Sequence, residues 1–432
     1  MQPKASAWGI CSAFKNVNRV RWHDHPTAFM DRNASVTIYL ICHGALQAED
    51  EFDVRMFVRV HVHCPGRHPF CYARKPSKTN VFGIDLVADM HVSIVFHGAY
   101  YTLPYGEIVR RTIFMQECGI IRHVNCKEKE LRHLHGVVPP MVTPLTQDRR
   151  LDAEGLERLV AHILGGGVHG LFALGTTGEA PDLSYDVRRE LVERTCALVS
   201  GRVPVLVGIT DTILDEAVKM AFFARDCGAS ALVAAPPYYF AAGQPELLAY
   251  YRKLADALPL PLFLYNMPSQ VKVMIEVKTV VELSHHPKIV GLKDSSGNIG
   301  YFNACLYALR DRPDFSVLMG PEEAMGEAVL MGASGGVAGG ANIFPRQFVD
   351  LYDAATAMDV PRVRALQERV MRSSSLLYGV GHHNSSFVKG VKCALSLMGI
   401  CSDTLAEPRE PFNTEDREKI RSSLVTLGAL AQ

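Results

Sequence analysis

The chain has 432 residues, 48% hydrophobic and 21% charged, a composition able to bury a sizeable core. Lys and Arg together number 45 and so do Asp and Glu, so the whole chain carries no field that would select nucleic acid or an anionic membrane as partner. Its apolar runs, such as residues 36–42, fall far short of the roughly 18 residues a membrane helix needs, and the first thirty residues hold Lys4, Lys15, Arg19 and Arg21 without the apolar stretch of a secretory signal. Eleven cysteines, an odd total without regular spacing, fit reduced thiols in a cytoplasm better than a disulfide framework.

The composition changes near His135. Residues 1–135 hold 17 Lys and Arg against 12 Asp and Glu, eleven of the 17 histidines, six of the 11 cysteines and both tryptophans. Apolar patches there show neither a sustained 3.6-residue period nor a repeated alternation, so residues 1–133 are unassigned, read either as a disordered extension or as an over-extended start with the natural protein beginning near Met115. His61, His63, Cys64, His68 and Cys71 crowd together, yet their spacing fits none of the usual zinc patterns, and no metal is assigned.

From Gly136 onward short apolar strands alternate with amphipathic helices. The predicted strands are 137–143, 170–174, 203–209, 231–235, 262–265, 289–293, 315–319 and 335–338. Near-continuous apolar runs such as Val205-Leu206-Val207 suit parallel strands covered on both faces. Leu156, Leu159, Val160, Ile163 and Leu164 make one helical stripe, with Asp152 as N-cap and Gly165 to Gly167 as stop. Eight such units close most economically as a (β/α)8 TIM barrel over residues 134–344, with a doubly wound open sheet as the other arrangement. Residues 345–432 add helices that complete the barrel or form an interface, including a stripe of Phe387, Val388, Val391, Ala394, Leu395 and Met398.

In such a barrel the chemistry sits at the C-terminal ends of the strands. Strand 2 ends in Gly175-Thr176-Thr177-Gly178-Glu179, whose hydroxyls and amides suit a small carboxylate, although a Gly-Thr turn also serves as a plain helix entry. Strand 6 ends in Gly291-Leu292-Lys293-Asp294. A lysine there either snorkels to solvent or points its amine into the mouth, where desolvation lowers its pKa; at the ordinary value near 10.4 only about one amine in a few thousand is free at pH 7. Tyr265, ending strand 5, and the Pro236-Pro237-Tyr238-Tyr239 turn after strand 4 supply phenols, and a phenol relayed through a threonine hydroxyl can move the protons that lysine attack on a ketone requires. Neither a Walker motif nor a dinucleotide fingerprint is present.

In this order and at these positions, Gly175-Thr-Thr-Gly-Glu179, Pro-Tyr-Tyr239, Tyr265-Asn-x-Pro268 and Gly291-Leu-Lys293 resemble the dihydrodipicolinate synthase and N-acetylneuraminate lyase superfamily of Schiff-base, pyruvate-handling enzymes, over about residues 134–432. The resemblance implies that Lys293 forms an imine with a 2-oxo acid, with Tyr265 as proton shuttle, Thr176 as relay and Thr177 holding the carboxylate. It further implies that Tyr239 reaches a neighbouring subunit of a homotetramer or dimer, and that the Val337 carbonyl faces the site. The imine is itself the electron sink, so no cofactor or metal is expected.

Two departures bear on the substrate. Gln270 stands where the synthases carry an arginine that clamps a second carboxylate, and a neutral amide cannot form that bidentate pair, although Lys272 lies two residues on. Glu322 and Glu323, after strand 7, resemble the acidic residues that sialic acid lyases present to sugar hydroxyls, or simply start a helix. The glycines Gly335, Gly336, Gly339 and Gly340 replace the hydroxyl side chains of such lyases. His382 to Ser386 reads as a helix cap from Asn384 or Ser385, or an interface. The expected activity is a cytoplasmic Schiff-base lyase or aldolase acting on a 2-oxo acid, with pyruvate as common fragment and a hydroxylated, sugar-acid-like partner. Dihydrodipicolinate synthesis, a 2-keto-3-deoxy sugar acid dehydratase and a non-catalytic 2-oxo acid binding protein are the alternatives.

Overall fold

The computed structural model describes residues 133–382 and 384–431; of the preceding residues it gives only backbone strands, such as the antiparallel pair Ser35–His43 and Arg55–His63. The side chains of His61, His63, Cys64, His68 and Cys71 therefore lie outside the described residues. The strands of the described part are β1 (Gly136–Val137), β2 (Leu171–Ala173), β3 (Val205–Gly208), β4 (Ala231–Ala234), β5 (Leu262–Asn266), β6 (Ile289–Asp294), β7 (Ser316–Met319) and β8 (Gly335–Gly336). All eight fall inside the stretches expected from the sequence or within one residue of them. Each pairs in parallel with its neighbours in the order β1-β8-β7-β6-β5-β4-β3-β2, and the bridge between Pro140 and Phe172 closes the ring, giving the barrel and not an open sheet.

Eight helices cover the barrel: α1 (Ala153–Gly165), α2 (Tyr185–Val199), α3 (Leu214–Asp226), α4 (Gln244–Ala257), α5 (Val277–Ser284), α6 (Ile299–Ala308), α7 (Met325–Leu330) and α8 (Pro345–Thr356). The eighth βα unit ends with α8 at Thr356, inside the 345–432 stretch that was expected to add helices completing the barrel or forming an interface. Three further helices, α9 (Val360–Leu377), α10 (Ser386–Leu397) and α11 (Thr414–Thr426), follow it. Helix α1 starts where Asp152 accepts a hydrogen bond from the Gly155 N–H at 2.9 Å, and its Leu156, Leu159, Val160 and Ile163 are buried. Gly167, with φ of 81°, turns the chain out of it, a conformation that costs a side-chain-bearing residue about 1 kcal/mol or more. Ser385 occupies the N-cap of α10, but its hydroxyl makes no cap hydrogen bond, so the expected side-chain cap is absent there. Phe387 of that helix packs its ring edge on Tyr378 instead.

Strand alternation divides the core in two. Outward residues such as Leu171, Val205, Val207, Leu262, Leu264 and Leu292 join the helices, while Val138, Phe172, Leu206, Val233, Phe263, Tyr265, Leu318 and Val337 fill the barrel. Burying each large apolar side chain contributes roughly 1.5 to 3 kcal/mol, so the interior is a packed plug that leaves chemistry only at its rim. Gly291 belongs to this plug because a Cβ there would lie 2.3 Å from the Phe263 ring. Among the described residues no helix is long and apolar enough to cross a membrane.

Candidate active site

Lys293 sits two residues beyond Gly291 on β6 and so faces the same way, into the barrel mouth. It is 5% exposed, and its Nζ lies 4.1 Å from the centre of the Tyr265 ring and 5.0 Å from that of Phe172. Among the described residues no carboxylate or hydrogen-bond acceptor meets this amine. The β5–β6 register sets Tyr265 directly opposite Lys293, and the Tyr265 hydroxyl is 3.1 Å from Thr176 Oγ1. The amine and the phenol are therefore side by side, and the phenol bonds the threonine hydroxyl.

The ends of β5 and β6 are locked by buried polar contacts. Asn266 Nδ2 donates to Asp294 Oδ1 at 2.8 Å and its Oδ1 accepts from the Ile275 N–H at 3.0 Å. Asp294 also accepts from the N–H and hydroxyl of Ser296; burial pushes its carboxyl up from the usual range while these donors oppose the shift. Each strand end thus has fixed partners, which holds the Tyr265–Lys293 pairing in register.

The Gly175–Gly178 turn leaves β2 between two non-glycine residues in the left-handed region, Leu174 at φ 60° and Glu179 at φ 56°. Such residues each cost about 1 kcal/mol or more unless their surroundings impose the conformation. Thr143 helps impose it, its hydroxyl donating to the Gly178 carbonyl at 2.7 Å. Thr177 is buried at the turn and Thr176 is exposed. Asn342 ties the other side of the rim, donating to the Pro140 and Gly339 carbonyls at 2.9 and 2.8 Å and accepting from the Val142 N–H. The sequence did not single out Thr143 and Asn342, because Thr143 bonds Gly178, 35 residues on, and Asn342 ties Gly339 beside it to Pro140 and Val142, 202 and 200 residues back.

Other expected site residues are dispersed. Tyr239 is 71% exposed, paired edge-on with Phe240, and among the described residues no hydrogen bond joins it to Thr176 or Tyr265. Gln270 is exposed in a one-turn helix (Pro268–Val271), after which Lys272, at φ 63°, places its Nζ 5.9 Å from the Tyr239 ring centre. Val337 lies in the inner core with Phe172 and Tyr265, its N–H donating to the Met319 carbonyl.

Glu322 departs from its expected place. It is 4% exposed, its Oε2 accepts from the Gly340 N–H at 2.6 Å and its Oε1 from the Tyr378 hydroxyl at 2.6 Å, so both carboxylate oxygens bond the protein. Burial pushes it up to about 7, against the opposing pull of Tyr378 and Gly340. Glu323 is exposed and accepts from the Ser374 hydroxyl at 2.6 Å. Both glutamates begin the short turn Glu322–Ala324, the helix-start arrangement that the sequence also allowed. Among the described residues no group of three or more His, Cys, Asp or Glu is placed to hold a metal ion.

The barrel and its relatives define a carbon–carbon lyase of the class I aldolase type. The sequence model of the Dihydrodipicolinate synthetase family matches residues 133–427, and the chain belongs to that family. A 4-hydroxy-tetrahydrodipicolinate synthase from Methanopyrus kandleri is 31% identical over 69% of this chain and 98% of its own length. The structure of a dihydrodipicolinate synthase from Bacteroides thetaiotaomicron is 54% identical, with a TM-score of 0.67 over 68% of this chain and 98% of that one. A prophage protein of the family from E. coli K12, crystallised with pyruvate, is 27% identical, with a TM-score of 0.65 over 68% of this chain and 99% of that one.

Proposed function

We propose that the chain is a Schiff-base-forming lyase or aldolase for a 2-oxo acid, with pyruvate as the common fragment and a hydroxylated, sugar-acid-like partner. The observation that carries this reading is the amine of Lys293, held between the Phe172 and Tyr265 rings beside a phenol bonded to Thr176. The amine adds to the 2-oxo carbon, and protons moved by Tyr265 through Thr176 let the former carbonyl oxygen leave as water. Tyr265, left as a phenolate by that step, takes the proton of the C4 hydroxyl as the C3–C4 bond breaks and its electron pair moves into the iminium, giving an enamine and a free aldehyde. Protonation at C3 and hydrolysis return pyruvate and the amine. Thr177 and the turn amides receive the carboxylate, the Val337 carbonyl borders the site, and no cofactor enters the sequence.

Neutral Gln270 supports a partner without a second carboxylate, since the charge-assisted pair of an arginine is absent at that position. With Glu322 turned inward, exposed Glu323 is the acidic residue left for a polyol tail. In this reading the enzyme works in the cytoplasm as a homotetramer or dimer, with exposed Tyr239 and Phe240 at a subunit contact; a monomeric mass in sedimentation would remove that part.

The second reading is 4-hydroxy-tetrahydrodipicolinate synthase, favoured by the names of the relatives and by Lys272, whose cation lies beside Tyr239. Product analysis separates the two. Release of pyruvate and an aldehyde from 2-keto-3-deoxy sugar acids, lost in Lys293→Ala, supports the first; condensation of pyruvate only with an aldehyde that carries a carboxylate supports the second.

A further inference from the structure

Lys392 interrupts the most deeply buried stretch of α10, between Val391 and Cys393, and its side chain is wholly enclosed. Its Nζ is 2.5 Å from Glu179 Oε1 and donates to the Thr404 carbonyl at 2.7 Å. The second oxygen of Glu179 accepts from the Ala406 N–H at 2.9 Å, and Arg409 stands 3.9 Å from it while holding Asp182 at 2.6 Å. Burial pulls the Lys392 amine down from its usual range and Glu179 pulls it back up. Glu179 is also the left-handed residue that ends the Gly175–Gly178 turn, its N–H donating to the Thr176 carbonyl at 3.0 Å.

A buried ion pair is a poor source of net stability, because desolvating both charges offsets their attraction and well-packed apolar side chains usually do as well. It is a strict source of geometry, since a buried carboxylate with a lysine on one oxygen and an amide on the other cannot rotate away. We infer that the Lys392–Glu179 pair is a positioning device through which α10 and residues 404–406 fix the Gly175–Gly178 turn and so the carboxylate-holding groups of Thr176 and Thr177. This rests on the proposed reading that the turn receives the 2-oxo acid carboxylate. Lys392 touches no substrate; it acts through Glu179. A lysine between Val391 and Cys393, on the buried side of the helix, is the trace it leaves in the sequence.

The test uses the full chain with Glu179→Gln/Lys392→Met, which removes both charges of the pair, and Lys392→Met, which leaves the buried Glu179 carboxylate with Arg409, 3.9 Å away, as its cation. Two quantities are read: amide hydrogen exchange in peptides covering 175–180 and 290–294, and the dependence of borohydride trapping on pyruvate concentration. In the double variant, exchange across 175–180 rises about tenfold or more while 290–294 keeps its protection. The half-saturating pyruvate concentration rises about tenfold, the scale of one charge-assisted hydrogen bond, and the maximal trapping rate changes less than about threefold. Lys392→Met shows the same turn exchange or more. Unchanged exchange across 175–180 overturns the inference, and so does a loosened turn with unchanged pyruvate dependence. A double variant that fails to fold also overturns it, the pair then being a stability element. Wild-type protein that traps neither pyruvate nor a longer 2-oxo acid refutes the proposed function instead, and the turn exchange alone then decides whether the pair holds the turn.

Discussion

Replacing Glu322 by glutamine should change how the stability of the barrel depends on pH. The carboxyl is enclosed between the Gly340 N–H and the Tyr378 hydroxyl, and burial raises it from 4.5 to about 7. The unfolded chain gives up this proton first, so the group's contribution is fully present below about pH 4.5 and is lost as pH rises through about 7. A shift of that size corresponds to about 3 kcal/mol at 1.36 kcal/mol per pK unit. The glutamine side chain is neutral throughout, its carbonyl able to accept from Gly340 and its amide to donate to the Tyr378 oxygen, which matches the protonated glutamic acid. The Glu322→Gln variant is therefore as stable as wild type, within about 1 kcal/mol, near pH 4.5 and more stable by up to about 3 kcal/mol at pH 8. Urea titrations followed by circular dichroism at 222 nm measure this directly. Tryptophan fluorescence does not serve, because Trp8 and Trp22 both lie among the first 132 residues. Parallel pH dependences for the two proteins, or a Glu322→Gln variant less stable than wild type at pH 8, would refute the argument.

Tyr265→Phe keeps the ring that lies 4.1 Å from Lys293 Nζ but removes the hydroxyl bonded to Thr176, so imine formation should slow by about 10²- to 10⁴-fold, read by single-turnover trapping. Gly208→Ala would set a Cβ 2.0 Å from the Leu174 carbonyl, just ahead of the threonine turn; a loss of about 1 to 3 kcal/mol in urea unfolding, with weaker pyruvate binding, is the expected result. Gln270→Arg restores a planar cation to an exposed site beside the mouth and should improve aldehydes bearing a carboxylate by about tenfold in kcat/KM over neutral ones, as measured in paired condensation assays.

The barrel was legible in the sequence because each βα unit states itself locally: Val205 to Val207 as a buried strand, Leu156 to Ile163 as a one-sided helix. Lys293 and Tyr265 stood out as polar residues at the ends of apolar strand runs, but the sequence left a lysine snorkelling to solvent equally open, and the β5–β6 register that sets Tyr265 opposite Lys293 is visible only in the structure. For Glu322 the sequence left a sugar contact and a helix start both open, because nothing near it announces Tyr378, 56 residues away, as its partner. Thr143 and Lys392 were missed for the same reason, each acting on the threonine turn from a distant element. Of the cap from Asn384 or Ser385, or interface, that the sequence offered, the structure puts Ser385 at the N-cap without a side-chain cap bond.

The most direct test of the account is borohydride reduction in the presence of pyruvate, followed by peptide mass spectrometry. The account predicts one reduced pyruvate adduct per chain, on Lys293, absent from Lys293→Ala. Folded protein that gives no adduct at Lys293, with pyruvate or with longer 2-oxo acids, would contradict it.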